Sequence, residues 1–184
     1  MGKAIKISTK KAEKGYYLGA SKFFGTPTVP DKWTADFYED EIFFCQIRLC
    51  DIASLDADCN LPHTGYLYVF LHTEDGDYNL RADVRYYNGE PNVALDDFNA
   101  EVQGYEHFTQ AWLMDFEVVD GAYDGTKLFG TASDWNYEED EPRLLMQFDP
   151  LDNDMGFLDF LDGYLYLLLN DNDLGKTTLR IEHS

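Results

Sequence analysis

Polar positions do not alternate with apolar ones along the strongest segments of this chain. Residues 42–47, 66–71, 144–148 and 164–169 are apolar almost without a break, each too short for a buried helix. Unbroken apolar runs of this length predict strands covered on both faces. Other segments predict strands at 78–87, 112–119 and 177–182, with an edge strand beginning at Ala4, Ile5 and Ile7. Residues 74–77 read as a hairpin turn, because Asp75-Gly76 is a strong turn signal. Residues 10–14 suit a helical turn or a solvated loop, 51–55 a short helical turn and 95–102 a short helix. Gly25, Pro27 and Pro30 make 21–33 an ordered loop. Short links imply antiparallel pairing, so the expected fold class is mainly β, α+β with few short helices.

The pattern occurs twice. Gly-Tyr-Leu-Tyr begins at Gly65 and again at Gly163, and each preceding apolar run holds one glutamine, Gln46 and Gln147. Lys22-Phe23-Phe24-Gly25-Thr26 matches Lys127-Leu128-Phe129-Gly130-Thr131, Trp33 matches Trp135, and Val84-Arg85-Tyr86 matches Leu179-Arg180-Ile181. The separations fall from 105 (130 − 25) to 95 (180 − 85), which is one order of elements with shorter second-copy loops. Two copies are too few for a solenoid. The expectation is one domain of two antiparallel half-repeats, at about 21–90 and 126–183, related by an approximate two-fold axis around a shared core. A basic segment 1–20 precedes them and 91–125 connects them.

Composition adds charge to this picture. Of 184 residues, 45% are hydrophobic and 16% aromatic, enough for a core. Residues 1–22 hold six lysines and one acid, net +5; the remainder holds eight cations and 34 acids, net −26, which sum to −21. Such a body repels nucleic-acid backbones and anionic membranes and attracts cationic proteins or metal ions. No apolar run approaches the roughly 20 residues of a membrane-spanning helix. Three cysteines do not describe a disulfide framework, and the N-terminal lysines have no apolar stretch behind them. The expected compartment is the cytoplasm.

Candidate chemistry is sparse. Cys45, Cys50, Cys59 and His63 form a zinc-type set without the close Cys-x-x-Cys pair, so Cys45 reads as a buried small hydrophobe. Asp149, Asp152, Asn153, Asp154 and Asp159, and the run Asn170 to Asp173, offer oxygen ligands but do not fit an EF-hand loop. The sequence has no Gly-x-Ser-x-Gly, phosphate loop or His-Glu-x-x-His, and no carboxylate pair stands out among its 35 acids. No catalytic residue, metal ligand or cofactor is assigned. A glutamine inside an apolar run must find partners. Gln46 and Gln147 are therefore expected to clamp loops, with Gly25, Gly130, Gly65 and Gly163 as structural positions. The binding candidates are the densest acidic run, Glu138, Glu139, Asp140 and Glu141, with Trp33 and Trp135 able to stack on a ligand.

These blocks resemble a known family. Ser21-Lys22-Phe23-Phe24-Gly25, Pro27, Pro30, Trp33, Phe44-Cys45-Gln46-Ile47 and Leu61-Pro62-x-x-Gly65-Tyr66-Leu67 look like the first signature block of the YwqG-like family, a bacterial domain family of unknown function. Leu128-Phe129-Gly130, Leu144-Leu145-Met146-Gln147-Phe148 and Asp162-Gly163-Tyr164-Leu165-Tyr166 match its second block, although Gly130-Thr131-Ala132-Ser133 stands where the family has paired glycines and a proline. The resemblance spans most of 21–174. It implies a β-rich fold with an internal repeat and no established catalytic residues. The siting of some relatives beside toxin genes implies an immunity-type role.

The reading with most support is a non-enzymatic protein-interaction module that binds a basic protein through acidic loops. A small-ligand or divalent-cation binder comes second and a hydrolytic enzyme third.

Overall fold

The computed structural model describes residues 2–37, 41–73, 80–96, 98, 106–133, 142–152 and 163–183. The strands in chain order are β1 (Lys3–Lys11), β2 (Lys22–Phe23), β3 (Thr28–Val29), β4 (Ile42–Arg48), β5 (Tyr66–Thr73), β6 (Leu80–Tyr87), β7 (Val93–Ala94), β8 (Trp112–Asp120), β9 (Lys127–Leu128), β10 (Arg143–Phe148), β11 (Gly163–Leu169) and β12 (Thr177–His183). Helical structure is limited to α1 (Leu49–Ile52) and 3-10 turns at Asp31–Trp33, Glu106–Thr109 and Leu174–Lys176. The protein is thus mainly β, and its strand pairings are antiparallel. Among the described residues, no helix is long and apolar enough to cross a membrane.

The chain forms two compact units, one of residues 9–114 and the other of residues 1–8 with 115–184. In the first the strand order is the start of β8 (residues 112–114), β2, β4, β5, β6, with β3 and β7 paired separately. The central strand β4 is buried from Ile42 to Ile47, as an unbroken apolar run requires. Val29, Phe43, Tyr66, Tyr68 and Phe70 form one core cluster, against which Trp33, Phe37, Tyr87, Leu95 and Phe98 pack. Phe44 packs elsewhere, edge-on to Phe23 at 5.4 Å and to Phe24 at 5.5 Å. A register shift between Phe43 and Cys45 interrupts the pairing of β4 with β5.

In the second unit the order is β12, β11, β10, β9, β1. Residues 144–148 and 165–169 are buried, and Leu144, Tyr166 and Leu168 join Ala132 in a core cluster. Here the register shift falls between Leu144 and Met146.

Local expectations needed correction. The segment 21–33 is not simply a loop. Lys22–Phe23 pairs with β4 on one side and β8 on the other, and Thr28–Val29 pairs with β7. Gly25, with φ 74°, and Pro30, which lacks an N–H, keep these strands to two residues. The lysines at 10 and 11 continue β1 rather than starting a helical turn. The helical turn expected at 51–55 begins earlier, at Leu49. The region 95–102 is described only at Leu95, Asp96 and Phe98, of which Asp96 and Phe98 lie in turns, and the hairpin turn 74–77 lies outside the described residues.

Candidate functional site

Cross-strand register aligns the same four residue types in each unit. In the first, Lys22 lies opposite Gln46, Gln46 opposite Tyr68, and Tyr68 opposite Arg85. In the second, Lys127, Gln147, Tyr166 and Arg180 follow in the same order. Both glutamines are wholly buried. Gln46 accepts from Thr28 N–H at 3.0 Å and donates to the Ala20 carbonyl at 2.8 Å and Thr28 Oγ1 at 2.9 Å. Gln147 accepts from Ser133 N–H at 2.9 Å and donates to the Gly125 carbonyl at 3.0 Å and Ser133 Oγ at 2.8 Å. Each amide holds loops of its own unit, the role expected from the sequence.

The lysines beside them were missed as chemistry. Lys22 and Lys127 are fully buried. Lys22 Nζ donates to the Tyr16 carbonyl at 2.6 Å; Lys127 Nζ donates to the carbonyls of Gly121, Tyr123 and Thr131. Burial pushes both ammonium groups down to about 8. Their recurrence at matched positions is the signal in the sequence, although lysine is ordinarily exposed.

Titratable groups gather at one end of the aromatic cluster in the first unit. Glu41 stands just before β4, His72 on β5 and Asp83 on β6. The pairing of Ile42 with Leu71 and of Phe70 with Asp83 brings the three together. One ligand atom from each lies within 4.8 Å of the others. Glu41 Oε1 is 3.1 Å from His72 Nε2 and 3.2 Å from Arg85 Nη2, while Arg85 Nε donates to Asp83 Oδ2 at 2.6 Å. The Arg85 guanidinium also lies over the rings of Phe37 at 4.8 Å, Phe70 at 5.2 Å and Trp33 at 5.7 Å. The Glu41 side chain has no exposed surface, whereas His72 retains 16%. Glu41, the residue before β4, is therefore a buried carboxylate. Glu41, Asp83 and the His72 imidazole thus offer one nitrogen and two carboxylate donors around the Arg85 guanidinium.

The other candidates are distributed differently. Trp33 packs edge-on against Tyr68 at 5.3 Å and Tyr87 at 5.7 Å and is partly buried. Trp135, Glu138, Glu139, Asp140 and Glu141 lie outside the described residues, as do Asn153, Asp154 and Asp159. Gly25 and Gly130 share a left-handed conformation, φ 74° and 78°, and each follows a phenylalanine at positive φ. Gly65 also has φ 81°, whereas its match Gly163 lies within β11 opposite His183. Cys45 is buried, which pushes its thiol well above the ordinary range; Cys50 and Cys59 are exposed. His63 Nε2 is 3.7 Å from Asp56 Oδ2. Asp149 and Asp152 accept the N–H groups of Leu151 and Thr126, and Asp173 accepts that of Gly175. Burial raises Asp149, whereas hydrogen bonds from Ser133 and Tyr164 hold Asp124 below the usual carboxylate range.

No protein-family model matches the chain, and no curated protein matches it at a significant level.

Proposed function

We propose that the protein is a non-enzymatic binding module, YwqG-like and of immunity type, that receives a cationic protein on its acidic surface. The two units are read as copies of one antiparallel element. The reading is carried by the acidic balance of the chain beyond residue 22, eight cations against 34 acids. Eight cations follow residue 22: Lys32, Arg48, Arg81, Arg85, Lys127, Arg143, Lys176 and Arg180. Lys127 is wholly buried, and Arg85 is held among Glu41, Asp83 and three aromatic rings. Asp31, Asp36, Asp58, Asp96, Asp115, Glu117 and Asp120 remain exposed. Glu41 and Asp56 are buried as well, so the withdrawal of Lys127 and Arg85 leaves the surface with the acidic balance of the chain, which speeds encounter with a basic partner.

The test is capture from the source cell at low and high salt. The expected result is a basic protein retained in dilute buffer, released by about 0.5 M salt as screening shortens the reach of the field, and weakly held by a variant with Glu138→Gln, Glu139→Gln, Asp140→Asn and Glu141→Gln. Capture that ignores ionic strength, or recovery of no cationic protein, overturns the reading.

A further inference from the structure

We propose that Glu41, His72 and Asp83 form a binding site for a single divalent transition-metal ion of the zinc type, with Arg85 kept beside it as an outer partner. The proposal stands apart from the cationic-partner reading and survives its failure. An imidazole with two carboxylates suits zinc and its first-row neighbours and discriminates against calcium and magnesium, which take oxygen ligands. The 3.1 Å between Glu41 Oε1 and His72 Nε2 fits two ligands on one ion. Atoms about 2.0 to 2.2 Å from zinc lie about 3 Å apart when their angle at the metal is near 90 to 100°. Asp83, with its own ligand atom inside the same 4.8 Å group, supplies the third. A carboxylate has two oxygens, so Asp83 can keep its bond to Arg85 and still coordinate.

Comparison of the two units supports the assignment. Counting from the matched pairs Gln46 and Gln147, Gly65 and Gly163, and Arg85 and Arg180, the positions of Glu41, His72 and Asp83 are filled by Pro142, Asn170 and Thr178. The register agrees, since Phe70 faces Asp83 and Leu168 faces Thr178. The lysine, glutamine, tyrosine and arginine row belongs to both units, but the ligand set belongs to one. A unit of this strand order therefore forms without the set, which separates it from the parts that build the fold. Three protein ligands leave an open position for water or a further donor.

The full chain, stripped with chelator, is titrated with zinc chloride in millimolar magnesium, which occupies weak acidic sites on the surface. Expected are one zinc per chain, a rise in melting temperature, and a loss of affinity of at least about tenfold in His72→Asn, which preserves the Glu41–Arg85 pair. Should that variant fail to fold, a chain with His63→Asn, His107→Asn and His183→Asn retains His72 as its sole histidine. Zinc must then shift its ring nitrogen resonances. Unchanged affinity in His72→Asn, or ring resonances of His72 that ignore zinc, overturns the proposal.

Discussion

Ser133 and Gln147 clasp each other twice: the Ser133 N–H donates to Gln147 Oε1 at 2.9 Å, and Gln147 Nε2 donates to Ser133 Oγ at 2.8 Å. The same amide reaches the buried carbonyl of Gly125. Leucine has nearly the same volume but satisfies none of these groups. Gln147→Leu is therefore expected to cost about 1 to 3 kcal/mol, most of it the desolvated groups left behind. Urea denaturation of the full chain measures this, and a variant as stable as the parent would refute the clamp.

The clamp was legible in the sequence because a glutamine within an unbroken apolar run has few ways to be satisfied, and because it occurs twice. Strand existence was legible for a related reason, since the runs around Gln46 and Gln147 are too apolar to face water. The Glu41, His72 and Asp83 group was not. Its members are separated along the chain and meet only through the register of β4, β5 and β6, and Glu41 closes an acidic stretch that resembles any solvated loop. Lys22 and Lys127 fall between these cases. Their recurrence was visible, but composition cannot show that an ammonium group has its carbonyl acceptors inside.

These two lysines impose a pH dependence. Burial holds them at about 8 in the folded chain, against 10.5 for the ordinary side chain. The unfolded chain then binds more protons between these values, so their contribution to stability rises with pH as it passes through 8. Tyr66, Tyr68 and Tyr164 act in the opposite sense, because burial raises them and the unfolded chain loses their protons first, above about pH 10. Cys45 does the same from about pH 9. Between pH 8 and 9 the unfolding free energy of the parent should therefore gain relative to that of Lys127→Met. Parallel denaturation midpoints for the two chains across this interval would show that Lys127 keeps its ordinary affinity for protons.

Arg85 neutralises a carboxylate that has no exposed surface. Arg85→Leu leaves Glu41 buried without its guanidinium and removes the cation from the rings of Phe37 and Phe70. The expected loss is about 3 kcal/mol, in the range for breaking a buried pair on one side. Adding Glu41→Gln should return part of it, because the uncompensated charge is gone. Chemical denaturation of the parent, both single variants and the double variant closes the cycle, and strictly additive losses would mean that the two side chains are not coupled.

Gly25 tests whether the turn after β2 depends on the backbone. Its φ of 74° follows Phe24 at 53°, and a Cβ placed on it would lie 2.6 Å from Ala111 Cβ. The left-handed conformation alone should cost Gly25→Ala about 1 to 2 kcal/mol, and the overlap adds to it, since Ala111 is buried and its main chain is also close. Ala111→Gly removes the overlapping methyl but not the backbone penalty. The double variant should therefore recover the part of the loss that comes from the methyl overlap and retain the rest, once the cost of Ala111→Gly alone has been subtracted in a cycle. A Gly25→Ala chain with the parent's denaturation midpoint would mean that the turn relaxes to another conformation. A double variant with no recovery would place the whole cost in the backbone.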